Sequence, residues 1–129
     1  MCIRDSFDTA QAPSVLLPVC DTDTDVPPAA AKALARALRL PHLAPVVESV
    51  PMLEAVEGPV QANLVSGSTG AYFQLNRVSS AQGVIPSTHG NVPYSPEGQW
   101  LTGYFLDSHL EGSAIIADPY AELGTPELE

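Results

Sequence analysis

The sequence predicts an α/β fold, a mostly parallel sheet with flanking helices, from three observations. An apolar, β-branched run at residues 14–19 ends in an acidic turn. A helix-forming segment rich in alanine and leucine follows that turn. A second strand-like segment at residues 70–78 then leads through a polar, His-bearing loop to a closing helix.

The first run, Ser14-Val15-Leu16-Leu17-Pro18-Val19, has the composition of a buried strand, although Pro18 cannot donate to a central ladder. Residues 20–28, Cys20-Asp21-Thr22-Asp23-Thr24-Asp25-Val26-Pro27-Pro28, are rich in side chains that cap and turn. Pro27 or Pro28 suits the first turn of a helix over residues 29–40, on which Ala30, Ala33, Leu34, Ala37 and Leu38 form one apolar face. Residues 41–58, with Pro41, Pro45 and Pro51, read as a wandering connection with short extended pieces and no catalytic group. Strands are expected at 59–65 and 70–78, the latter with Phe73 and Leu75 on one face and Tyr72, Gln74 and Asn76 on the other. A polar loop at 79–92 carries Thr88-His89-Gly90-Asn91. Ser95 is a good N-cap, with Pro96 at the first helical position and Glu97 in the first turn. Trp100, Leu101, Tyr104, Phe105 and Leu110 supply the stripe of that helix. The chain closes on Ile115-Ile116-Ala117-Asp118-Pro119-Tyr120 and an acidic tail, residues 121–129, expected to fray.

Composition narrows the function classes. The 129 residues are 45% apolar, without the run of about 18 apolar residues that a membrane-spanning helix needs. Five Lys and Arg against 15 Asp and Glu give a net charge of -10, a field that repels phosphate backbones and anionic membrane surfaces. Nucleic acid and stable membrane insertion are therefore not expected. No block of five like charges occurs, so the acidity reads as a solvated surface. Thirteen prolines in this length point to long loops.

The opening Met1-Cys2-Ile3-Arg4-Asp5-Ser6 reads as the in-frame translation of a transposase-type sequencing adapter, so residues 1–6 are set aside from fold reasoning. The expected organisation is then a portion of one domain over residues 7–120, with a true N-terminus lying upstream, and the tail at 121–129. Setting Cys2 aside leaves Cys20 without an internal disulfide partner.

The chemistry rests on the order of elements: a strand ending in an Asp-bearing loop, a helix, another strand, a His-bearing loop and a final helix. Asp and His in that order are the last two members of a Ser, Asp, His triad, in which His moves the nucleophile's proton and Asp holds its tautomer. Both belong on loops at the carboxyl edge of the sheet.

Val15-Leu16-Leu17 through Asp23-Thr24-Asp25-Val26-Pro27, with the helix at residues 29–38, resembles the acid-bearing turn and following helix of bacterial extracellular lipase-like and esterase-like α/β-hydrolases. That turn usually reads Gly-Asp-x-x-Val-Pro, which aligns its acid with Asp23 and puts Thr22 in place of the glycine. Thr88-His89-Gly90-Asn91-Val92-Pro93, Ser95-Pro96-Glu97 and the segment from Glu111-Gly112 to Tyr120 are similar to the His turn and closing helix of the same group. The resemblance covers most of residues 15–120. It implies the C-terminal part of a serine ester hydrolase acting on a lipid or other carboxylic ester, with Asp23 as acid, His89 as base and the nucleophilic Ser upstream. It also implies an extracytoplasmic location and no cofactor or metal, and it leaves the oligomeric state open.

Alternatives stand beside these readings. Asp21 or Asp25 is the acid if the turn is shifted, and the whole acidic turn is alternatively a solvated helix cap. His42 reads as a surface or linker residue, and His109 as a cation near a helix C-terminus. Ser66-Gly67-Ser68-Thr69-Gly70 imitates a nucleophile elbow but lacks glycine at 66 and precedes a strand, so it reads as a turn. An apolar strand ending in Asp21-x-Asp23 also resembles the nucleophile motif of haloacid-dehalogenase-type phosphatases; Thr24-Asp25, a single lysine and the lack of a later Asp pair for Mg²⁺ weigh against it. Asp21, Asp23 and Asp25 also suggest a calcium-stabilised binding or structural module; Val26 and Lys32 exclude an EF-hand loop.

Overall fold

Residues 12–129 are described in the computed structural model of the chain, so the adapter-like segment 1–6 and Cys2 lie outside them. In chain order the elements are β1 (Val15–Cys20), α1 (Pro28–Ala37), β2 (His42–Leu43), β3 (Ala55–Val56), β4 (Val60–Gln61), β5 (Gly70–Leu75), β6 (Arg77–Ser80), β7 (Gly83–Pro86), a 3₁₀ turn (Val92–Tyr94), α2 (Pro96–Leu110), β8 (Ile115–Ile116) and α3 (Pro119–Leu123). Four strands form a sheet in the order β1-β5-β2-β3. Every pairing in it is parallel, so all four carboxyl ends share one edge. With helices packed against it, this is an α/β fold.

The central strand β5 is buried along its whole length and serves two cores. Ala71, Phe73 and Leu75 pack with Leu101 of α2, Ile116 and Tyr120, whereas Tyr72 packs with Ala35 of α1, Val19 and Val50. The helices α1 and α2 therefore cover opposite faces, as strand periodicity requires. Burying Phe73, Leu101 or Ile116 contributes about 1.5–3 kcal/mol each. Gln74, expected on a polar face, is fully buried because the connection after β2 folds over it. Its Oε1 accepts from the Val47 and Glu48 amides at 3.0 and 2.9 Å, and its Nε2 donates to the Glu48 carbonyl at 3.0 Å.

Pro18 fits within β1 for a geometric reason. Val15 N and Asp21 N donate to the Thr69 and Leu75 carbonyls of the β5 side, so alternation turns position 18 to the opposite edge, where no ladder bond to β5 is lost.

The strand expected at 70–78 breaks at Asn76. The Tyr120 hydroxyl accepts from the Asn76 and Arg77 amides at 3.2 and 3.3 Å and donates to the Arg77 carbonyl at 2.9 Å, replacing ladder partners where the chain leaves the sheet. The segment after it, read as loop, forms the β6-β7 hairpin over much of its length, with Ser80 opposite Gly83. That hairpin matters for the site, because it returns the chain to the carboxyl end of β5, where Ser87 N donates to Asn76 O at 3.0 Å. The expected strand at 59–65 shrinks to β4, which pairs antiparallel with β8.

Ser95 caps α2 as expected, its hydroxyl accepting from Gly98 N at 3.0 Å. The buried face keeps two members of the expected stripe, Leu101, buried, and Phe105, packed against the core, and adds Glu97 and Ser108, while Tyr104 and Leu110 are exposed and Trp100 stacks on Tyr104 with ring centroids 4.8 Å apart. Gly98 lies on that buried face. A Cβ there would lie 2.1 Å from the Val92 carbonyl oxygen, so this face of the helix is pressed onto the preceding turn.

The tail is seated, not frayed, as far as Glu127. Residues 119–123 form α3, closed by Gly124 in the left-handed conformation at φ 65. Thr125 is buried, and Glu127 pairs with Arg77 at 3.0 Å. No helix among the described residues is long and apolar enough to cross a membrane.

Candidate active site

Asp23 sits three residues beyond the end of β1, and His89 follows the hairpin that returns to the end of β5; the two strands are hydrogen-bonded neighbours with Cys20 opposite Leu75. Asp23 and His89 therefore emerge from one edge of the parallel sheet. Asp23 Oδ2 lies 2.8 Å from His89 Nδ1. Asp23 Oδ1 accepts from the backbone amides of Asp25 and Val26 at 2.8 and 2.9 Å, an Asx-type turn that fixes the carboxylate's orientation. Of the three aspartates, Asp23 makes the bond to His89, while Asp21 N extends the β1-β5 ladder to Leu75 O.

The electrostatics follow from that geometry. The Val26 amide, joined by the His89 ring and the Asp25 amide, holds the Asp23 carboxyl below its ordinary value against a smaller opposing effect of desolvation. The hydrogen bond and charge of Asp23 push His89 upward. The His89 side chain is 53% exposed and that of Asp23 10% exposed, so the carboxylate is sheltered while the imidazole is presented to solvent. With Nδ1 engaged by the carboxylate, Nε2 is the nitrogen left to exchange a proton.

Two further contacts join the acid and His turns. Thr22 donates its hydroxyl to the Ser87 carbonyl at 2.8 Å. Ser87, fully buried, donates its own hydroxyl to Leu75 O at 2.6 Å and lies 3.3 Å from Cys20 Sγ. Neither Thr22 nor Ser87 was picked out by sequence as a site residue. The available signal was the departure at position 22, where a hydroxyl stands in place of the expected glycine.

The other histidines divide. His109 lies in the last turn of α2, as its sequence suggests. His42, read as surface or linker, is instead 2% exposed within β2, edge-on to Tyr72 with ring centroids 4.9 Å apart. Its flanking prolines conceal a short strand between β5 and β3, and that strand carries it into the core. Its Nε2 has no hydrogen-bond partner, and burial pushes its pKa down, favouring the neutral ring.

No family model matches the chain, and no curated protein or solved structure is detectably similar to it.

Ser66 and Ser68 bond each other at 2.7 Å in a turn that precedes β5, with Gly67 at φ 83. They lie at the amino end of a strand whose carboxyl end carries the dyad, and six residues span about 17 Å. Ser87 is nearer but buried and already bonded to Leu75 O.

Asp23, Asp25 and His89 place one ligand-type atom each within 4.8 Å of one another, and Asp21 is not part of that group. Two carboxylates and an imidazole form a mixed set, unlike the all-oxygen shell that calcium takes. A cleft of about 660 Å³ lies at the carboxyl ends of β2 and β3, bordered by Pro45, Val56, Glu57, Pro59, Asp118 and Glu122; it includes neither Asp23 nor His89.

Proposed function

We propose that this chain is the acid- and base-bearing part of a serine ester hydrolase of the α/β-hydrolase class, extracytoplasmic, acting on a lipid or other carboxylic ester. The observation that carries the reading is the 2.8 Å bond between Asp23 Oδ2 and His89 Nδ1 at the shared carboxyl edge of two adjacent parallel strands. In this reading Asp23 fixes the ring with its proton on Nδ1, and Nε2 takes the proton of a serine hydroxyl as that oxygen attacks the ester carbonyl. The resulting imidazolium, stabilised by the Asp23 charge, returns the proton to the departing alcohol. An acyl-enzyme forms and water then cleaves it by the same exchange. The serine and the oxyanion donors are assigned to residues beyond those described.

The same observation weighs against the phosphatase alternative. That chemistry needs one free aspartate to attack phosphorus and another to exchange protons, whereas both oxygens of Asp23 are already engaged, by two amides and an imidazole. Lys32, the single lysine, is bound to Glu48 at 2.6 Å and so is not presented to a phosphate.

The test is to extend the reading frame upstream from an independent genomic clone, express the longer protein and assay p-nitrophenyl ester hydrolysis. Activity that falls about 10⁴-fold in kcat for Asp23→Asn, and at least comparably for His89→Ala, is expected. Hydrolysis unaffected by both substitutions, or a longer protein without esterase activity, overturns the assignment.

A further inference from the structure

We infer that Thr22 and Ser87 are positioning residues that clamp the acid turn to the His turn and thereby set the Asp23–His89 distance, an inference that rests on the hydrolase reading for its functional meaning. Each turn is internally bonded. Asp23 Oδ1 is tied to its own backbone amides. On the other side Thr88 N donates to Asn91 Oδ1 at 2.7 Å, and Asn91 Nδ2 donates to the Pro86 carbonyl at 3.0 Å. Neither set of bonds holds one turn against the other.

Among the described residues, the hydrogen bonds that join the two turns are the dyad itself, Thr22 Oγ1 to Ser87 O at 2.8 Å, and the Cys20–Ser87 contact at 3.3 Å. Thr22 is adjacent to the acid, and Ser87 lies two residues before the base. Ser87 is anchored in turn to the carboxyl ends of both strands, through Leu75 O at 2.6 Å and Cys20 Sγ. A carboxylate–imidazole bond on a surface loop is sensitive to displacements of a few tenths of an ångström. The clamp supplies the constraint that the exposed His89 ring lacks on its own. Thr22→Val keeps the shape and removes the donor, and Thr22→Ser keeps the donor with less bulk.

The experiment reads the His89 ring directly in the 129-residue chain, labelled with ¹⁵N-histidine, by its NMR titration midpoint and ring-nitrogen shifts. Asp23→Asn defines the uncoupled end point. Thr22→Val and Ser87→Ala are expected to lower the midpoint part of the way toward that end point and to reduce the population with its proton on Nδ1. Thr22→Ser is expected to restore both. If Ser87→Ala does not fold, Thr22→Val, an isosteric change at an exposed position, carries the test alone. A His89 midpoint and ring shifts unchanged in Thr22→Val overturn the clamp, whether or not the melting temperature falls. The readout needs no ester hydrolysis, so it separates the two ideas: an inactive longer protein whose His89 responds to Thr22 removes the hydrolase reading alone, and an active one whose His89 does not respond removes the clamp alone.

Discussion

Asp23 divides its carboxylate between two tasks, Oδ1 bound to the amides of its own turn and Oδ2 to the ring of His89, 66 residues away in the chain. The pair's contribution to stability is bounded on both sides. Asp23 is lowered, so its share is present above the ordinary carboxylate value and is lost as pH falls through the folded value. His89 is raised, so its share is present below the ordinary histidine value and is lost as pH rises through the folded value. The melting-temperature difference between the wild type and Asp23→Asn is therefore expected to be largest between about pH 4 and 6.5 and to shrink on both sides. It should be small throughout, because the ring is exposed and screened. A difference that keeps growing above pH 8 would contradict the ion pair.

Much of this site was legible in sequence because its parts are local. The acidic turn, the Ser95 cap and the Thr88-His89-Gly90-Asn91 turn are each encoded within a few residues. What escaped depends on distant partners. The burial of His42 needs Tyr72 and the short strand around it, and the break of the long strand at Asn76 needs the hydroxyl of Tyr120, 44 residues away. The Thr22–Ser87 bond likewise spans 65 residues. Apolar periodicity also misses polar side chains that are buried by partners distant in the chain, as Glu97 is by Ser79 and Thr125. On α2 the apolar pattern placed Leu101 and Phe105 on the core side, while Tyr104 and Leu110 are exposed and the polar Glu97 and Ser108 are buried.

The last segment of the chain owes its order to a buried carboxylate. Glu97, fully buried, accepts from Ser79 Oγ and Thr125 Oγ1, each at 2.6 Å, and from Ser79 N at 3.0 Å. Burial alone would raise its pKa, but these donors outweigh it and hold the carboxyl below its ordinary value. Replacement by alanine leaves the donors without a partner and is expected to cost about 2–4 kcal/mol in urea unfolding. Truncation after Gly124 removes Thr125 and the Glu127 partner of Arg77, and is expected to destabilise in the same direction. A truncated chain with an unchanged unfolding midpoint would show that the tail contributes nothing. Glu97 also adds an acid-labile element, since stability tied to its lowered pKa is lost as pH falls through that value.

Calcium separates the hydrolase reading from a metal-stabilised module. The group that converges is Asp23, Asp25 and His89, in which the imidazole and its bonded carboxylate oxygen are already committed to each other. Millimolar calcium is therefore expected to leave the melting temperature and the His89 ring signals unchanged. A calcium-dependent rise in melting temperature that disappears in Asp25→Asn would favour the module instead.

The remaining prediction concerns Ser68, whose surroundings imitate a nucleophile elbow in sequence. A serine becomes a nucleophile when a general base stands within hydrogen-bond reach and oxyanion donors face the same point. Ser68 instead shares its hydroxyl with Ser66 at 2.7 Å and lies before β5, at the opposite end of that strand from the dyad. Moving it to His89 would require unpairing β5 from β1, its neighbour over six residues. The 129-residue chain is thus expected to give no stoichiometric fluorophosphonate labelling and no p-nitrophenyl ester turnover above a denatured control, and Ser68→Ala is expected to change neither. Intact-mass spectrometry after incubation reads the result directly. One phosphonyl adduct per chain, lost in Ser68→Ala and in His89→Ala alike, would show that the two residues meet in solution and that the separation along β5 does not hold.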